Sequence, residues 1–174
     1  MNEREVMQIL QKYRHDCVNH IQLLHGYLSM NKPERAKDVL EEWIFICEQS
    51  RMLNSFNIPK FALWVDRFDL LYSRLRLSYK VNVPGLNLDH YDEELHCLSN
   101  QFADALLRSS SPEILHEVTL SVNNDDERVY FEFRAEGPFQ YVNQFECNAI
   151  TELQTEYEAE QKEICYRITI PYKF

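Results

Sequence analysis

Apolar residues recur at helical spacing along the first fifty residues of the chain. Steps of three and four separate Val6, Leu10, Tyr13, Cys17, Ile21, Leu24 and Leu28, which predicts one helix over residues 4–30. The stretch "NKPER" breaks this pattern, and its proline suits the first turn of a second helix that runs to about Leu53. The apolar stripe of that helix comprises Ala36, Leu40, Trp43, Cys47 and Ser50, widened by Val39, Ile44 and Ile46.

Two such helices joined by a tight turn form a helical hairpin, and each carries a wide apolar stripe. A lone hairpin cannot bury both stripes. Pairing of two copies into a dimeric four-helix bundle would bury them in a shared core, and packing against the rest of the same chain is the alternative. The length and coiled-coil spacing of the stripes favour the homodimer.

The pattern changes after "NSFNIPK", which predicts a boundary between a helical hairpin domain at 1–56 and a second domain at 57–174. Helices and alternating strands follow each other in the second domain, so its predicted class is α+β with a mixed sheet in two layers. The predicted helices are 60–76 and 91–109, the strands are 77–83, 117–123, 128–134 and 164–172, and a polar segment at 143–161 is a candidate helix.

Composition and charge narrow the classes of partner. Hydrophobic residues make up 45% of the 174 residues, which supports a folded core. Residues 1–60 carry eight basic and eight acidic residues, whereas 61–174 carry ten basic and twenty acidic ones. The chain has no basic stripe, so we expect no binding to nucleic acid, and its acidic excess disfavours anionic membranes.

Cysteine usage and the chain start predict a cytoplasmic protein. The first residues, "MNEREVMQILQ", lack an apolar signal region, and no apolar run of membrane-spanning length follows. The five cysteines are widely spaced and form no CxxC pair. We therefore expect free thiols in a reducing compartment and no zinc site.

The first helix contains three histidines that cannot share one metal ion. His15, His20 and His25 are five residues apart, and each step of five turns about 140° around the helix axis. Asp16 and His20 are four apart and share a face. With no third ligand nearby, a local hydrogen-bonded pair is a better interpretation than half of a metal site.

His15 lies about 200° from Cys17 on the helix wheel, outside the apolar stripe and among mostly polar neighbours. An exposed, neutral imidazole has a free lone pair and is a competent nucleophile. An exposed histidine alone has most often no function, but here Arg14 can neutralise a phosphoryl group and Asp16 can orient the ring. Gly26 on the same face removes side-chain bulk and can admit another protein.

The stretch "RHDCVNHIQLLHGYL" resembles a phosphoacceptor motif, Arg-His-Asp-x-x-Asn-x-φ-Gln-x-φ-x-Gly, in which φ is apolar. The motif and its position in a helical hairpin are similar to those of the sporulation initiation phosphotransferase B family of spore-forming bacilli. Related sensor kinases of the citrate and quorum-sensing type carry the same histidine motif.

This resemblance implies a dimeric phosphotransferase. His15 would accept a phosphoryl group from the aspartate of a single-domain response regulator and pass it to a second regulator that controls transcription. Arg14 would neutralise charge, and Asp16 is a candidate to orient the ring or to hold its proton. The response regulator would supply Mg²⁺, so that this chain needs no cofactor or metal of its own. The expected contact residues are Val18, Asn19, Gln22 and Gly26.

The second domain would then be a degenerate histidine-kinase-like α/β sandwich without a nucleotide site. A working kinase domain of this type needs an Asn-rich helix, a D-x-G-x-G loop and a later Gly-rich lid. Here Asn100 is offset, Asp104 stands near the expected metal-binding asparagine, and Ala135 replaces the loop aspartate. No glycine follows Gly137, so we expect no lid and no ATP binding. The alternative functions are an ATP-dependent sensor kinase and a non-catalytic scaffold or inhibitor that binds a response regulator or a kinase.

Overall fold

A computed structural model describes residues 3–83, 85–142 and 153–172 of the chain. The chain divides into two compact units, Met1–Arg51 and Met52–Phe174. The boundary predicted between residues 56 and 57 lies five residues after the observed one. The difference arises because Leu53 and Phe56 are buried in the core of the second unit. In the described ranges, no helix combines the length and the apolar character that a membrane span requires.

The first unit consists of helix α1 (Glu3–Ser29) and most of helix α2 (Pro33–Asn54), whose last three residues belong to the second unit. Both agree with the predicted helices to within one or two residues. The turn between them is closed by Asn31, whose φ of 55° is left-handed. The amide of Lys32 donates to the carbonyl of Tyr27 over 2.9 Å, as at a helix end that a left-handed residue terminates.

The apolar stripes of this hairpin are not covered by its own two helices. No described residue of α1 is buried, and Leu40 on α2 is 42% exposed. An open apolar hollow of about 380 Å³ lies along α2 beside Leu40, Trp43, Ile44 and Cys47. Other exposed apolar residues of the two helices are Leu10, Ile21, Leu28 and Ile46.

The second unit is an α+β domain with a mixed sheet, as predicted. Its elements are α3 (Pro59–Leu71), β1 (Leu75–Val81), α4 (Asp92–Ser109), β2 (His116–Asn124), β3 (Arg128–Glu136), β4 (Gln154–Ala159) and β5 (Glu163–Pro171). The sheet order is β1-β2-β3-β5-β4. Strands β1 and β2 are parallel because α4 lies in the connection between them, and the other neighbours are antiparallel.

Two predictions about this unit are wrong. The predicted helix at 143–161 lies partly outside the described residues, and its remainder contains strand β4, which pairs antiparallel with β5. Hydrogen bonding to a neighbouring strand here outweighs the weak local pattern. Helix α3 ends at Leu71 instead of residue 76, because β1 begins at Leu75 and pairs with β2.

Helices α3 and α4 are joined by a buried carboxylate. Asp92 is only 8% exposed, and its two oxygens accept from the amides of Lys60 (3.0 Å) and Phe61 (2.9 Å). It therefore satisfies two donors at the start of α3 that have no partner within the helix. The core that the two helices cover is rich in aromatic side chains, including Phe61, Trp64, Phe68, Phe102, Phe131, Phe133 and Tyr166.

Candidate functional site

His15 projects from α1 into solvent. Its side chain is 72% exposed, which agrees with its place outside the apolar stripe. Asp16 beside it is also exposed. The imidazole can thus be reached by a second protein without any rearrangement of the hairpin.

The ring of His15 has two polar contacts at one nitrogen. Nδ1 lies 3.2 Å from Oδ1 of Asp16 and 3.3 Å from Nδ2 of Asn19. The carboxylate can only accept, so a proton on Nδ1 is stabilised by a charge-assisted bond to Asp16. In that tautomer the lone pair is on Nε2, which is the nitrogen available to an electrophile. Asn19 Nδ2 lies farther from Nε2, at 3.5 Å.

Asn19 lies closer to the ring of His15 than the sequence indicated. We predicted it as a residue that contacts the partner, whereas the structure places its amide against the ring of His15. The signal was present, because residues four apart face each other on a helix.

His20 is a structural residue of the hairpin in this arrangement. Its Nδ1 lies 2.8 Å from the backbone oxygen of Asp16, so the predicted pair is hydrogen-bonded through the main chain. The carboxylate of Asp16 is consequently left for His15. The ring of His20 also stacks on Trp43 of α2, with centroids 5.3 Å apart and planes at 14°. No spacing along the sequence could reveal this stack, which depends on how the two helices align.

The remaining predicted site residues extend along one face of α1. Val18, Gln22 and Gly26 follow His15 at intervals of three, four and four, so they share its side of the helix. Val18 is 44% exposed although it is apolar, and Gln22 is exposed as well. Arg14 is exposed immediately before His15.

In the second unit, the side chains that the resemblance assigned to nucleotide binding are buried or hydrogen-bonded to neighbouring residues. Ala135 is fully buried on the inner face of β3. Asn100 accepts hydrogen bonds from the Trp64 indole (3.1 Å) and the Tyr72 hydroxyl (2.9 Å), and its own amide donates to the carbonyl of His96 (2.7 Å). Burial raises the pKa of Tyr72, and the charge of Asp104 adds to this, so the phenol remains a donor.

Comparison with known proteins shows what the hairpin is similar to. Residues 1–56 match the model of the sensor kinase SpoOB-type alpha-helical domain. The chain is also 26% identical over 121 residues to sporulation initiation phosphotransferase B of Bacillus subtilis (strain 168). The resemblance to the sporulation initiation phosphotransferase B family is confirmed. The match covers 70% of this chain. It covers 63% of the Bacillus relative, which is less than two thirds of that protein.

Among solved structures, the chain is similar to histidine kinase domains. The histidine kinase domain of the Erythrobacter litoralis EL346 blue-light activated kinase aligns with a TM-score of 0.49 and 8% identity, covering 66% of this chain and 60% of that one. The catalytic domain of histidine kinase ThkA aligns with a TM-score of 0.48 and 7% identity. This alignment covers 70% of the present chain and 93% of the ThkA domain.

Proposed function

We propose that this chain is a phosphorelay phosphotransferase of sporulation initiation. His15 accepts a phosphoryl group from the aspartate of a single-domain response regulator and passes it to the aspartate of a second, transcription-regulating one. The observation that carries the proposal is the exposed imidazole of His15, with Nδ1 beside Asp16, in a hairpin that matches the SpoOB-type domain.

The transfer is a displacement at phosphorus. Nε2 of His15 donates its lone pair to the phosphorus of the aspartyl phosphate, and the bond between phosphorus and the carboxylate oxygen breaks. The electron pair of that bond goes to the aspartate, and the ring becomes a phosphorylated imidazolium. Asp16 stabilises this positive charge through Nδ1–H, and Arg14 lies beside the incoming phosphoryl oxygens. The return step to the second regulator runs in the opposite direction.

Positioning and charge neutralisation dominate such reactions, so this chain needs to supply only the nucleophile and a docking face. In the proposed reaction, the regulator supplies Mg²⁺, and the chain uses neither ATP nor a metal of its own. The buried Ala135 and the hydrogen-bonded amide of Asn100 support a domain without nucleotide chemistry. Val18, Asn19, Gln22 and Gly26 contact the regulator.

The working form in this proposal is a homodimer. The exposed apolar residues on α1 and α2, with the hollow beside Leu40, are the surface that a second hairpin would cover. Two hairpins together form the four-helix bundle that neither can form alone.

The deciding experiment mixes the chain with a single-domain response regulator that has been phosphorylated by acetyl phosphate. We expect label on the wild type and on His25→Ala, but none on His15→Ala. The label should be lost in acid and retained in alkali, as for phosphohistidine. Binding without any label would favour the scaffold, and labelling with ATP alone would favour the kinase. Label on His15→Ala would contradict the proposal.

A further inference from the structure

Asp16 has two histidines near it, and they lie on opposite sides of it around α1. His20 follows it by four residues, which is about 40° around the helix axis, whereas His15 precedes it by one residue, about 100° the other way. Residues four apart face each other on a helix, and adjacent residues do not. Spacing alone therefore favours a bond between the Asp16 carboxylate and His20, and a carboxylate that turns to His20 turns away from His15.

The structure has the opposite pairing. The carboxylate oxygen Oδ1 of Asp16 lies 3.2 Å from Nδ1 of His15, while Nδ1 of His20 lies 2.8 Å from the backbone oxygen of Asp16. A carbonyl oxygen only accepts, so Nδ1 of His20 carries a proton. The carboxylate would be the better acceptor for that proton, because a bond to a charged group is roughly twice as strong as a neutral one. Another contact must therefore keep His20 on the main chain.

The group that holds His20 in this place comes from α2. The ring of Trp43 stacks on the imidazole of His20, with centroids 5.3 Å apart and planes at 14°. Both residues are partly buried, whereas Asp16 is exposed. An aromatic pair at this distance is favourable beyond the area it buries, and a side chain has only a few staggered rotamers to choose from. The rotamer of His20 in the structure makes the stack and the bond to the carbonyl at the same time.

We propose that Trp43 is a positioning residue for phosphotransfer. Its stack on His20 prevents that ring from taking the Asp16 carboxylate, which stays available to the nucleophile. The inference deepens the proposed function and rests on it, because the carboxylate matters for the reaction only if His15 is the nucleophile. Without the stack, His20 turns to the carboxylate, and the proton on Nδ1 of His15 loses its charged acceptor. The lone pair is then on Nε2 of His15 in a smaller fraction of molecules, and phosphoryl uptake slows.

The test measures how fast the chain takes label from a saturating concentration of phosphorylated single-domain regulator. Trp43→Leu removes the stack but keeps an apolar side chain, and it should slow uptake by roughly three- to tenfold, a part of what a charged hydrogen bond contributes. Trp43→Phe keeps an aromatic ring and should stay within about twofold of the wild type. His20→Phe removes the competing donor and should also stay within about twofold.

The double variant separates competition from a merely structural role. Adding His20→Phe to Trp43→Leu should restore the rate of the wild type, because the competing donor is gone. If Trp43 only supports the hairpin, the double variant should be as slow as Trp43→Leu or slower. Circular dichroism and light scattering check that each variant keeps its helices and its mass, and Trp43→Met replaces Trp43→Leu if leucine unfolds the hairpin.

A second measurement needs no regulator. In protein that is isotope-labelled at the histidine nitrogens, the chemical shifts of His15 at alkaline pH report which nitrogen holds the proton. The Nδ1–H form should be less populated in Trp43→Leu and restored in the double variant. Unchanged shifts in Trp43→Leu, or a double variant that stays slow, would overturn the inference while leaving phosphotransfer by His15 intact. If the wild type takes label from no phosphorylated regulator, the proposed function fails and the inference fails with it.

Discussion

At the residue scale, the reactivity of His15 depends on which of its two nitrogens holds the proton. Asp16 and Asn19 both reach Nδ1, but only the Asp16 carboxylate can accept a proton from it, because the Asn19 atom that approaches is the amide nitrogen, which is a donor. The ring is therefore oriented by residues one and four positions along the same helix. The contacts that hold this ring come from α1 itself.

We expect Asp16→Asn to lower the rate of phosphoryl uptake by about ten- to a hundredfold, since a hydrogen bond to a charged group is worth roughly 1.5–3 kcal/mol. The measurement is the rate of label transfer from a phosphorylated regulator at saturating concentration. Asp38→Asn is the control, because Asp38 is also exposed, lies on α2 and forms an ion pair with Arg35 rather than with a histidine. An unchanged rate in Asp16→Asn would show that this carboxylate does not stabilise the reacting ring.

The positions and exposure of the candidate site residues were largely predictable from the sequence, because these residues lie on one helix. Spacing along one helix places His15, Asp16 and Gly26, and a helix wheel shows which of them face solvent. The stack of His20 on Trp43 could not be predicted, because it joins residues of two helices whose alignment depends on their packing. The network that engages Asn100 is equally non-local, since its donors come from α3 and from Tyr72, just after that helix.

A second histidine should make stability depend on pH. His116 is 1% exposed, and among the described residues its Nε2 has no hydrogen-bond partner. Burial lowers the pKa of His116, and nearby Arg74 adds to this effect. The unfolded chain binds a proton at about pH 6.5 and the folded chain does not, so unfolding becomes easier as the pH falls below 6.5.

His116→Phe should weaken that dependence, because phenylalanine can still stack on Phe139 and does not titrate. The measurement is the urea midpoint of wild type and variant between pH 5 and 8. Replacement of the exposed His90 by phenylalanine serves as the control and should leave the slope unchanged. If the urea midpoints of wild type and His116→Phe change with pH in the same way, His116 is not the cause of the pH dependence.

At the scale of elements, long helices were predictable and short paired segments were not. The hairpin has a periodic stripe over more than twenty residues, so its helices were placed almost to the residue. The six-residue strand β4 has little local signal, and it forms because β5 offers it hydrogen bonds. Helix α3 ends early for a similar reason, since the residues after it belong to the parallel pair of β1 and β2.

The link between α3 and α4 gives a prediction about one buried carboxylate. Asp92→Ala should lower the free energy of unfolding by about 2–3 kcal/mol, because it leaves two amide donors at the start of α3 without their partner. Chemical denaturation followed by tryptophan fluorescence measures the loss. Asp89→Ala is the control, since Asp89 is exposed and should cost little. Equal denaturation midpoints for the two variants would mean that water can bond the two amides at the start of α3 without any loss of stability.

At the scale of the whole molecule, the positions of the second unit at which a kinase domain would bind nucleotide are used for packing and internal hydrogen bonds. Ala135 cannot provide a carboxylate, and the amide of Asn100 is held by neighbouring side chains. Calorimetric titration with Mg·ATP should therefore show no saturable heat. A Kd for ATP in the micromolar range would contradict this expectation and would favour an ATP-dependent sensor kinase as the function.

Assembly is the remaining whole-molecule prediction. The stripes of α1 and α2 leave large apolar side chains in water, and a second hairpin is the partner that would cover both stripes at once. Light scattering at tens of micromolar should give about twice the chain mass of 20.9 kDa. Leu40→Glu should raise the dissociation constant roughly a hundredfold or more, because it would bury an unpaired charge in each half of the bundle. Glu42→Lys, which lies about 160° around the same helix from Leu40 and is exposed, should leave the mass unchanged, and a strictly monomeric wild type would exclude the bundle.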